Sequence, residues 1–87
     1  MHTATEIHAA PSRYDAYKMI AANIAHAIKS GSGAVVEVTL IADGRYSICG
    51  TADDCEKAHE VLTLAGLTRN EIVHDAELGE TFAYYAS

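Results

Sequence analysis

Two alternating runs meet at Asp43-Gly44, and the way they must face each other constrains the fold more than any other feature of the chain. Val35 to Ala42 alternates Val36, Val38 and Leu40 with Val35, Glu37, Thr39 and Ile41, the two-residue period of a strand with one buried face. Asp-Gly is a hairpin turn. A two-residue loop would set Leu40 opposite Ser47 and Val38 opposite Cys49, leaving Tyr46 and Ile48 on the polar side. A three-residue loop, Ala42-Asp43-Gly44, sets Leu40 opposite Tyr46 and Val38 opposite Ile48. One face is then uniformly apolar and the other carries Glu37, Thr39, Arg45, Ser47 and Cys49. A one-residue slip exchanges the faces, so burial selects the three-residue loop, with Gly44 left-handed in a bulge.

Helices flank this hairpin. Ser12 and Asp15 form an S-x-x-D box, and Tyr17, Ile20, Ala21, Ile24, Ala27 and Ile28 recur at three- and four-residue steps. The spacing predicts a helix over 13–30, ended by Gly31. Thr51 and Asp54 start a second helix, with Cys55, Ala58, Leu62 and Ala65 as its apolar stripe, His59 beside it, and Gly66-Leu67 as a Schellman stop. Residues 69–78 admit either a short helix capped near Thr68 or a strand turning through Leu78-Gly79, and Thr81 to Ala86 reads as a strand. Residues 1–11 have no period and read as a loose arm before a single domain over 12–87. The expected fold is α+β, a two-layer sandwich in the order α-β-β-α-β(-β), with an antiparallel sheet and two helices on one face.

Charge divides the chain unequally. Residues 1–50 balance Arg13, Lys18, Lys29 and Arg45 against Glu6, Asp15, Glu37 and Asp43. Residues 51–87 hold eight carboxylates against Lys57 and Arg69, so the whole net charge of −6 lies there. That field disfavours nucleic acid and anionic membrane and favours basic partners. No apolar run approaches the roughly 18 residues of a membrane span, and Met1 to Ala10 lacks the features of a secretory signal. With two cysteines and no signal, a cytoplasmic protein with free thiols is expected.

Several groupings of residues bear on chemistry. Cys49, Cys55 and His59, joined by His74 or Asp54, could ligate zinc, but no C-x2-C knuckle is present and Cys55 lies within the core stripe. Cys55 and His59 as nucleophile and base lack a third group and an oxyanion site. Gly31-Ser32-Gly33 follows a helix and opens a strand, the reverse of a phosphate loop. KH-type and ribonucleoprotein-type domains share this element mix but use a G-x-x-G clamp or a basic stacking face. No metal and no cofactor are expected.

In its size, acidity and αββα core, the segment 12–87 resembles the small phage-encoded inhibitors of bacterial defence, notably anti-CRISPR proteins. The resemblance lies in the build and carries no motif, so it assigns no residue a role. It implies a non-enzymatic inhibitor, acting in a bacterial host cell, that masks a basic and in some cases nucleic-acid-binding surface of a partner protein. The residues expected to contact such a partner are Asp53, Glu56, Glu60 and Leu64 on the second helix, with Asp75, Glu77, Glu80 and Tyr85 near the C-terminus. Of the adjacent Tyr84 and Tyr85, one points away from the core. The alternative is a homodimeric structural or regulatory module, pairing through Leu64 or a hairpin edge. A small metal-dependent enzyme using Cys49, Cys55 and His59 is the third.

Overall fold

The computed structural model describes residues 1–87. Three helices, α1 (Ala4–His8), α2 (Arg13–Ser32) and α3 (Ala52–Leu64), combine with four strands, β1 (Glu37–Ala42), β2 (Arg45–Gly50), β3 (Thr68–Asp75) and β4 (Glu80–Ala86). The strands make one antiparallel sheet in the order β1-β2-β4-β3. Both long helices pack on the same face of it. This is the expected two-layer α+β fold, with the open segment 69–78 formed as strand and turn.

The β1–β2 register is the one burial demands: Val38 lies opposite Ile48, Leu40 opposite Tyr46, and Thr39 opposite Ser47. Gly44 has φ 71°, a left-handed backbone that costs other residues roughly 1–2 kcal/mol. Pairing jumps between Leu40 and Ala42, so Ile41 is the bulged residue and stays exposed. From β2 the chain crosses through α3 to β3, which runs parallel to β2 two positions away. β4 then returns between them, pairing with β2 through Ile48–Ala83 and with β3 through Ile72–Ala83.

The caps form as their sequences dictate. The Ser12 hydroxyl accepts the Asp15 N–H at 3.1 Å and donates to the Asp15 carboxylate at 2.9 Å. Thr51 accepts the Asp54 N–H at 3.1 Å. At the other end of α3, Gly66 N–H donates to Thr63 and Leu67 N–H to Leu62, each at 3.0 Å. These are the paired bonds of a Schellman motif.

Three expectations are corrected. Helix α2 does not stop at Gly31 but runs to Ser32, and Gly33 (φ 75°) is the left-handed cap, its N–H bonded to Lys29 at 2.8 Å. Gly31 stays helical because α2 passes α3 there; a Cβ on it would stand 3.3 Å from a Val61 methyl. Residues 1–11 are not wholly loose, since α1 forms with Thr3 accepting the Glu6 N–H at 3.2 Å. Asn23 of α2 clasps this segment, accepting from His2 N–H at 2.7 Å and donating to the His2 carbonyl at 2.8 Å. Ala27 and Ala65, assigned to apolar stripes, are exposed at the ends of those stripes.

The core joins Ile28 and Ala34 to Ile48, Ala83 and Tyr85 of the sheet and to Cys55, Ala58 and Leu62 of α3. Thr81 is the one buried polar residue; its hydroxyl meets His74 Nδ1 at 2.8 Å and its carbonyl accepts the Cys55 thiol at 3.5 Å. No buried side-chain polar atom lacks a partner. The two glycines two residues apart therefore have separate duties. Gly33→Ala should lower unfolding stability by about 1–2 kcal/mol through backbone strain. Gly31→Ala should lose less, because helical propensity gains up to about 1 kcal/mol against its crowding of Val61. Urea titration of both variants measures the difference.

Candidate functional site

The residues expected to face a partner are divided among α3, the β3–β4 turn, β4 and the core. Asp53, Glu56, Glu60 and Leu64 line the solvent side of α3, and Leu64 is 89% exposed. Their charge is partly cancelled within the fold. Asp53 pairs with Lys57 at 3.2 Å, and Glu56 pairs with Arg69 of β3 at 3.0 Å, leaving Glu60 without a cation. Asp75 is committed to structure, its carboxylate accepting the N–H groups of Glu77 and Leu78 at 3.0 and 3.1 Å to hold the β3–β4 turn. Glu77 remains exposed on that turn.

Tyr85 is corrected outright. It is 1% exposed, and its hydroxyl lies 2.7 Å from His59 Nδ1 under α3. The reason is strand parity: Thr81, Ala83 and Tyr85 share the inward face of β4, so Phe82 and Tyr84 take the outward one. A partner can reach Tyr84 and cannot reach Tyr85.

That outward face is the surface sequence reasoning missed. The aligned row Glu37–Cys49–Phe82–Val73 crosses all four strands, and beside it runs Thr39–Ser47–Tyr84–Glu71. No helix packs against it, because α2 and α3 occupy the other face and α1 rests on α2. Two aromatic rings on a central strand are thus bordered by Glu37, Glu71 and Glu80, with Arg45 as the single base among these positions. None of Glu37, Glu71 and Glu80 forms an ion pair. Glu80 accepts a hydrogen bond from the Cys49 thiol at 3.6 Å. The available signal was the alternation of residues 81–86, but the parity of that strand depends on Ile48 choosing Ala83 as its neighbour, which is a long-range fact.

The candidate metal ligands separate. Cys55 is buried against Thr81, His59 is bonded to Tyr85, and Cys49 points to Glu80 on the far side of the sheet. No three His, Cys, Asp or Glu side chains converge. Burial raises the Cys55 thiol above its ordinary pKa, and burial followed by the Glu80 charge raises Cys49. Both shifts oppose the thiolate that a nucleophile or zinc ligand requires.

No helix is long and apolar enough to cross a membrane. No family model matches the chain, and no curated protein or solved structure matches it.

Burial likewise raises the Tyr85 phenol. For an acid whose folded pKa is raised, the unfolded chain loses its proton first. Stability is therefore complete at neutral pH and is lost as pH climbs through the ordinary thiol and then phenol range. Urea unfolding across alkaline pH should show this fall, and Tyr85→Phe should make it shallower. An identical slope in the variant would place Tyr85 in water.

Proposed function

We propose that the protein is a non-catalytic binding module that masks a basic, partly apolar surface of a partner protein with its open sheet face. The observation that carries this reading is the juxtaposition on that face. Phe82 and Tyr84 lie side by side on central β4, within a border of Glu37, Glu71 and Glu80 whose charges nothing in the fold neutralises. Aromatic faces attract guanidinium and ammonium groups, and carboxylates alongside add directional hydrogen bonds. The same carboxylates exclude phosphate, which separates this face from the basic aromatic sheets that stack RNA bases. The α3 surface is less suited, since Lys57 and Arg69 already occupy two of its three carboxylates. An inhibitor resembling the anti-CRISPR proteins is one biological role such a mask could fill.

A titration of the full chain with an arginine-rich peptide carrying alternate apolar residues tests this. Binding should weaken steeply with salt. Glu71→Lys combined with Glu80→Lys should reduce affinity by about tenfold or more, and Tyr84→Ala should reduce it further. Asp53→Lys with Glu60→Lys should leave it within about twofold. If the α3 reversal abolishes binding while the sheet reversal does not, the sheet face is the wrong surface. Circular dichroism confirms that each variant is folded.

A further inference from the structure

We infer that the chain forms a two-fold dimer by antiparallel pairing of β1 with the β1 of a second copy. The sheet has two edges, and they are built differently. β3 is guarded by the bulge at Asn70 and by Arg69, Glu71 and Asp75 along its length. β1 carries one charge, Glu37, and its bulge lies at its far end, at Ile41, so the outer backbone groups of residues 37–40 form a regular edge with little protection. Exposed apolar side chains gather on this side: Val35 before the strand, Ile41 at its bulge, and Tyr14 on the helix above.

Between that edge and α2 lies a groove of about 490 Å³, floored by Val38 and Leu40 and walled by Ala21, Ala22 and Ala25. At one end Tyr17 is fastened across it, its hydroxyl donating to Asp43 at 2.6 Å. The wall is made of small side chains, which lets a second helix and strand come close. Charge decides what that neighbour is. Two copies at −6 each repel through residues 51–87, whereas residues 1–50, which build α2, β1 and β2, are electrically balanced. A like-charged copy therefore approaches along this flank, while a basic partner is drawn to the acidic remainder.

The strand also mates with itself. In antiparallel pairs, residues directly opposite share a face, so inward residues must meet inward residues. A dyad at Thr39 satisfies this, setting Val38 against the partner's Leu40 and bringing Glu37 beside the partner's bulged Ile41. No carboxylate then faces a carboxylate. A dyad one residue later, at Leu40, would oppose Glu37 to the partner's Asp43 and is disfavoured. The result is a continuous sheet of twice the width, with its helices on one side and two copies of the Phe82–Tyr84 face side by side on the other. A partner with two basic elements would then bind bivalently.

Sedimentation of the full chain should show a concentration-dependent doubling of mass. Ile41→Lys and Ala22→Glu, both at exposed positions, should each raise the dimer dissociation constant by about tenfold or more while leaving the circular dichroism unchanged. Thr39→Cys in a Cys49→Ser background should oxidise to a covalent dimer, whereas Thr63→Cys on α3 in the same background should not. A wild-type chain that stays monomeric at high micromolar concentration overturns the inference. So does a dimer insensitive to both edge variants, or one that Thr39→Cys fails to cross-link. Glu71→Lys should leave the dimer intact, which separates this result from the partner-binding one.

Discussion

The packing of Tyr85 beneath α3 sets the geometry of everything around it. Its ring fills the space between α3 and the sheet, opposite Tyr46 on β2 and Arg69 on β3, and its hydroxyl is satisfied by His59. A buried tyrosine without that partner would carry an unpaired hydroxyl at a cost of about 1–3 kcal/mol. With it, one residue fixes the parity of β4, the height of α3 above the sheet and the position of Arg69 beside Glu56. Once Tyr85 is inward, Phe82 and Tyr84 are outward without further choice. The outward aromatic face is in this sense a by-product of the core.

The charge asymmetry takes on physical shape in the fold. The acidic part of the chain builds α3, β3 and β4, which lie together at one side of the sheet. The balanced part builds α2, β1 and β2 at the other. The acidic excess is not spread evenly over its own elements either. On α3 it is answered by Lys57 and Arg69, and at the β3–β4 turn Asp75 is consumed by backbone bonds. Of the carboxylates left without a cation, Glu71 and Glu80 border the aromatic rings of β4.

Local chemistry was legible in the sequence, and long-range choice was not. The hairpin register, the Ser12 and Thr51 caps and the Schellman end of α3 follow from neighbours a few residues apart, where parity and hydrogen-bond reach leave one solution. Helix α1 could have been found, since Thr3 and Glu6 form a T-x-x-E box, but five residues give no apolar stripe to support it. Gly31 and Gly33 offer equal local stops, and only the approach of Val61 from α3 distinguishes them. Tyr84 and Tyr85 are equivalent by pattern until Ile48 pairs with Ala83. The choice of Tyr85 as a contact residue failed for that reason, and with it the location of the aromatic face.

The last strand of the chain sits in the interior of the sheet, between β2 and β3, with Ser87 N–H bonded to the Gly44 carbonyl at 2.9 Å. Any opening of the molecule that releases β4 therefore turns β2 and β3 into edges at once, with a strand-wide gap between them and the inward faces of Ile48 and Ile72 uncovered. A chain in that state is an open, pairing-competent sheet. The acidic charge of the elements around the gap discourages other copies of the chain from occupying it.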